Sequence, residues 1–229
     1  MCNVICCCFF ALFCGLSALL KNRRGEGTFL RVSGAILFLY KAAFYVMKNL
    51  RGEFIVPVEI SAISYFLIPL IIIFQCKKLY NVGAFFGILA GIGYFTFYTV
   101  FGSYAANLFS VRQGVIGCFC HGYLFLAGRY LFRKNAFALQ ESYKIWIAVL
   151  AMCGWALLFL GTGKTGTVFL YYILRPDFLF AEAFAWQSVL LLLGYYALLA
   201  AAFYGLIRLF YAQNGRIFRR QGASLPAQG

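Results

Sequence analysis

Several polar side chains in this chain stand inside long apolar stretches, at spacings that would let them act together. Ser61 and Glu59 belong to "VPVEISAIS", Val56 to Ser64; Cys118 and His121 belong to "CFCHGYLFLAGRYLF"; Lys41 interrupts another apolar run. A serine beside a histidine permits nucleophilic catalysis, in which imidazole takes the hydroxyl proton as oxygen attacks an ester carbonyl and an acyl-enzyme forms. On that reading Ser61 is the nucleophile and His121 the base. Such a pair needs an orienting acid and an oxyanion hole. Glu59 could be the acid, but two residues of helix turn the chain by about 200°, so it serves only if the chain is irregular there or if it reaches His121 from the side. Cys118, three residues before His121 and on the same helical face, is the alternative nucleophile. The same residues also admit a structural reading. Pro57 suits a first helical position, Glu59 then becomes a third-position carboxylate favoured by the helix dipole, and Ser61 bonds a backbone carbonyl. Lys41, Glu59 and His121 would then form a buried, charge-balanced cluster, or line a pocket that binds without chemistry.

Two other motifs fail on spacing. "GTGKTG", residues 161 to 166, has the glycines, lysine and threonine of a phosphate-binding loop, but that loop requires an earlier glycine where Leu158 stands, and a strand before it. The segment instead ends an apolar helix, so no nucleotide is expected. In "CFCH" one residue separates the cysteines where haem attachment needs two. With no second cluster of ligands, no metal or other cofactor is expected either. Most of the nine cysteines lie in apolar runs and read as small core residues. The cluster Cys6, Cys7 and Cys8, near a membrane surface, is open to acylation or oxidation.

The elements that must position these groups follow from composition. Of 229 residues 64% are hydrophobic and only 11% charged, with a mean hydropathy of +0.85, which places the chain in the membrane class. Runs long enough to cross the roughly 30 Å hydrocarbon layer as helices occur at 4–20, 31–47, 54–75, 80–101, 114–132, 145–161 and 184–207. No cleavage site follows the first, which is expected to remain in the mature protein. An all-α, seven-helix bundle in the cell membrane is therefore expected. Fourteen Lys and Arg fall on one side and five on the other, with Lys41 inside a span, so the N-terminus is expected outside and the C-terminus inside. The net charge of +14 suits anionic lipid rather than nucleic acid, because no soluble basic module exists to carry the latter. Residues 1–212 read as one transmembrane domain and 213–229 as a basic, disordered cytoplasmic tail. Gly83, Gly87 and Gly91 recur every fourth residue in the fourth span, which lets a neighbouring helix approach closely. Pro69 is expected to kink the third span, and Trp186 to anchor at the interface.

Depth can be counted from the outer ends of the spans. Ser61 lies about seven residues below Phe54, His121 about seven below Gly114, and Lys41 seven below Lys48, which at 1.5 Å per residue is roughly 10 Å in each case. Three polar groups on three helices thus share one level, where such groups normally face one another or a wet cavity.

Beyond the glycine turn the chain reads Gly166, Thr167, Val168, Phe169, then Arg175 and Pro176. This resembles the "Gly-Thr-Asn-Tyr … Lys/Arg-Pro" segment of the YwaF-like integral membrane proteins, whose animal relatives are the transmembrane protein 164 acyltransferases. Val56 to Ser64 resembles the family's Leu-Pro-Leu-His-Leu-Cys-Asp-Ile-Ser, with Glu59 at its histidine, Ser61 at its cysteine and Ala62 at its aspartate. His121 is placed like the histidine of the family's later helix. The resemblance covers roughly residues 50 to 210, with the motifs in the same order. For the animal relatives the resemblance implies transfer of a fatty acyl group between lipids; together with the residues' own reading, the expectation is a lipid acyltransferase or hydrolase with an outward-opening pocket that includes Lys41, Glu59, Cys118, Thr167 and Arg175 around Ser61 and His121. The alternatives are a non-catalytic carrier or binding protein for a lipid or small solute, and a membrane assembly subunit built on the glycine-rich fourth helix.

Overall fold

The computed structural model describes residues 2–21, 23–105, 111–160 and 189–220. Their architecture is all-helical, with α1 Cys2–Leu20, α2 Glu26–Leu50, α3 Ile60–Ile73, α4 Tyr80–Ala105, α5 Val111–Lys134, α6 Ser142–Leu160 and α7 Val189–Arg220. Five stretches are long and apolar enough to cross a membrane: Glu26–Leu50, Lys77–Val100, Gln113–Lys134, Leu139–Phe159 and Leu191–Arg220. The apolar helices Val4–Leu20 and Ile60–Ile73 are shorter.

The third span departs from expectation. Its helix starts at Ile60 rather than near residue 54, and its 14 residues cover roughly 21 Å, less than the hydrocarbon thickness. The cause lies in the sequence before it. Gly52 ends the preceding turn with φ +80, a left-handed conformation that glycine adopts without steric penalty. Asn49 then brackets Ile55, donating from Nδ2 to its carbonyl at 2.9 Å and accepting from its N–H at 3.3 Å. Pro57 restricts Val56 to extended backbone. Pro57 therefore does not open the helix, and its carbonyl instead accepts from Trp155 Nε1 at 3.0 Å.

The chain groups into two compact units, residues 1–47 with 60–135 and residues 48–59 with 136–229. In the first unit α4 and α5 form the central pair, with α1 and α3 packed on both. A Cβ on Gly87 would lie 2.7 Å from the Leu124 carbonyl oxygen, and one on Gly128 2.6 Å from the Ile88 nitrogen, so both helices lack side chains where their backbones meet. Helix α2 joins this unit through Tyr123, whose hydroxyl donates to the Leu30 carbonyl at 3.2 Å, and through a buried ion pair between Glu26 and Arg133. In the second unit Phe54 and Phe159 pack with ring centroids 6.2 Å apart, and the Phe137 N–H donates to Asn214 Oδ1 at 2.8 Å. Residues 213–220, expected to be disordered, continue α7 as helix, and Asn214 is fully buried. A buried amide holding an otherwise orphaned backbone N–H explains why the polar end of α7 stays ordered.

Candidate functional site

The first unit brings residues from α2, α3, α4 and α5 to one place. Its geometry follows from the glycine contact between α4 and α5. A Cβ on Gly91 would stand 2.6 Å from that of Phe125. That approach carries His121, one turn before Phe125, against the carbonyl of Ala90, one residue before Gly91. The distance from His121 Nδ1 to the Ala90 oxygen is 3.0 Å. A carbonyl oxygen only accepts, so Nδ1 carries the proton, and in the neutral ring Nε2 is left as the acceptor. Tyr94, one turn after Ala90, lies flat on the imidazole with centroids 3.9 Å apart and planes 13° apart, and its hydroxyl donates to the Gly114 carbonyl at 3.2 Å. Gly117 makes this possible, because a Cβ there would collide with the tyrosine ring. Tyr65 of α3 also meets His121, in a T-shaped contact with centroids 5.5 Å apart.

Lys41 enters from α2. Its ammonium nitrogen lies 4.3 Å from the Tyr65 ring centroid, within cation–π range, and interacts electrostatically with the Cys120 thiol. The rings of Tyr40 and Phe44 lie within 6 Å of it as well, at 5.6 and 5.9 Å. Among the described residues the ion pairs are Lys48 with Glu53, Arg133 with Glu26 and Lys144 with Glu141. Among the described residues no carboxylate pairs with Lys41.

The predicted site residues are thus partly assembled. Lys41 and His121 share the site, and Ser61 lies one turn before Tyr65 on α3, close enough to interact electrostatically with its hydroxyl. No hydrogen bond joins Ser61 to His121 among the described residues. Cys118 points elsewhere, because two residues of helix set it about 200° from Cys120; Cys120 turns to α2, while the Cys118 sulfur lies 3.8 Å from that of Cys6 on α1. Glu59 lies in the extended segment of the second unit, before α3 begins. Thr167 and Arg175 fall outside the described residues, as do the 161–166 turn and Trp186. Sequence reasoning missed Tyr65, Tyr94 and Cys120. Tyr65 was signalled by its position one turn from Ser61 and Cys120 by its contiguity with His121, whereas nothing local marks Tyr94 among so many aromatic residues. No group of metal-ligating side chains large enough to hold an ion occurs among the described residues.

Comparison with protein-family models, with curated proteins and with solved structures returned no match. What the arrangement can do chemically rests on its own residues: a fixed cation held between aromatic faces and a thiol, beside an imidazole whose proton position is set by the backbone.

Proposed function

We propose that this membrane protein binds the acidic head of a lipid or fatty acid at Lys41, with the acyl chain lying among the apolar helices. The observation that carries this reading is a lysine within an apolar span whose neighbours among the described residues are Tyr65, Tyr40, Phe44 and Cys120, none of them a carboxylate. A charged residue costs about 2.5–3.5 kcal/mol at the centre of a membrane helix on insertion scales, which bounds the cost at Lys41 from above. A carboxylate or phosphate arriving with its ligand offsets that cost, and π faces and a thiol do so only in part. Entry is sideways from the bilayer, as suits a ligand with one polar end. The basic residues, fourteen against five, support seven crossings with the N-terminus outside and the C-terminus inside the cell membrane. The motif order from residue 50 to 210 supports kinship with the YwaF-like proteins.

A second reading, lipid acyl transfer or hydrolysis, is favoured by one observation. The Nδ1 contact to Ala90 leaves Nε2 as the nitrogen able to take a proton, as a general base requires. Ser61 is the nucleophile on that reading.

One pair of probes separates the two. A photoreactive fatty acid is expected to label the wild type in membranes and to lose about tenfold in apparent affinity, or 1.4 kcal/mol, in Lys41→Met. Unchanged labelling of that variant overturns the acid-binding reading. A fluorophosphonate lipid reports the catalytic one, through labelling lost in both Ser61→Ala and His121→Ala. Labelling that survives both changes ends acyl transfer through these residues.

A further inference from the structure

Three consecutive cysteines near the start of α1 part company in the fold. Cys6 is buried with 4% of its surface exposed, and its sulfur lies 3.8 Å from that of Cys118 on α5, which is 1% exposed. Cys7 instead turns to Thr99 Oγ1 at 3.6 Å, and Cys8 is exposed. Of these three, Cys6 is the one that faces another thiol among the described residues. A disulfide needs a sulfur separation of about 2.05 Å, so closing the gap takes about 1.8 Å of approach, within reach of side-chain rotation on two helices already in contact. The packing around the pair favours that contact. Gly122, one turn beyond Cys118, leaves room for the Phe13 ring, and Phe9 meets Phe119 edge-on at 5.2 Å.

We infer that Cys6 and Cys118 are a disulfide-forming pair that clamps α1 onto α5, the helix that carries Cys120 and His121. The oxidant is a small disulfide. One cysteine thiolate attacks a sulfur of that disulfide and releases one small thiol, leaving a mixed disulfide; the second cysteine thiolate displaces the remaining small thiol. Two protein thiols are oxidised, one small disulfide is reduced to two thiols, and the cysteine protons end on the released thiols. Burial means that exchange takes place before α1 seats or while it is lifted, and the same burial then shields the bond from reductants. The partners are 112 residues apart. A cross-link that closes so long a loop removes more freedom from the unfolded chain than a short one does.

The experiment uses the full-length protein in mild detergent, treated with oxidised glutathione, blocked with N-ethylmaleimide, digested and mapped by mass spectrometry. A peptide joining Cys6 to Cys118 is expected, with loss of maleimide at both positions and recovery of both after reduction. Cys118→Ser abolishes it, and the oxidised wild type melts at a higher temperature than the reduced one. The inference is overturned if both cysteines are recovered as maleimide adducts after oxidation, if they carry glutathione without being joined, or if Cys118 is found joined to Cys7 or Cys8. Mapping on the wild type suffices even where a variant fails to fold.

Discussion

At Lys41 a full positive charge rests 4.3 Å from an aromatic centroid and against a thiol; Arg133, equally charged and 7% exposed, has Glu26. The contrast between them sets what each substitution should do. Removing one member of a buried ion pair leaves the other uncompensated, so Glu26→Ala is expected to destabilise the protein by about 3 kcal/mol, measurable as early loss of folded protein on heating in detergent. Arg133 Nη1 already has no partner among the described residues, which makes loss of the Nη2 contact harder to absorb. The exposed pair Lys48 with Glu53 provides the comparison, and Glu53→Ala should shift the same measurement by no more than about 1 kcal/mol. Lys41→Met should leave stability unchanged or raise it, since it removes a charge that has no carboxylate partner among the described residues from an apolar span. A Lys41→Met protein that melts well below the wild type would mean that the ammonium serves the fold rather than a ligand. Gly117 is the other residue with a decisive neighbour. Gly117→Val should push Tyr94 off the imidazole and disturb probe labelling, whereas Gly114→Ala, with open space at its Cβ, should leave labelling as it is.

The helices show where pattern alone is enough and where it is not. The spacing of Gly83, Gly87 and Gly91 announced a closely packed face on α4. Gly87 and Gly91 do meet α5 backbone, whereas Gly83 meets the ends of the Leu131 and Ile71 side chains. The partner glycine, Gly128, sits in no repeat and was invisible without the pairing of α4 with α5. Gly128→Ala and Gly87→Ala are each expected to cost about 1–3 kcal/mol by overpacking. Gly93→Ala, on the same helix with nothing within 4 Å of the new methyl, should not cost stability, and thermal denaturation of the three variants side by side tests the contrast. Helix α3 shows the opposite case, a long apolar run whose first six residues are withdrawn from helix by Gly52, the Asn49 bracket and Pro57. Asn49→Leu should loosen that extended segment and raise its susceptibility to proteolysis. An unchanged digestion pattern would show that Pro57 and Trp155 alone hold it.

For the whole molecule the testable expectation is topology. A reporter active only in the cytoplasm, fused after residue 229, should be active, and one inserted between Arg51 and Glu53 should be silent; the reverse pattern would overturn the orientation inferred from the basic residues. Composition and run length by themselves determined that the chain is helical and membrane-directed, because the energy of moving apolar side chains and backbone hydrogen-bonding groups out of water depends on local sequence alone. The same local counting placed Lys41 and His121 seven residues from the ends of their spans, since rise per residue is constant along a helix, but it fails for Ser61, whose count from Phe54 runs through residues that are not helical. Direction about each helix axis is another matter. Whether Cys118 or Cys120 faced Lys41, whether His121 met Ser61 or the Ala90 carbonyl, and which of three adjacent cysteines found a second thiol were decided only when α4 and α5 closed on their glycines and fixed the rotation of every neighbour. Contacts between residues distant in sequence set those angles, and no window of the chain contains both partners.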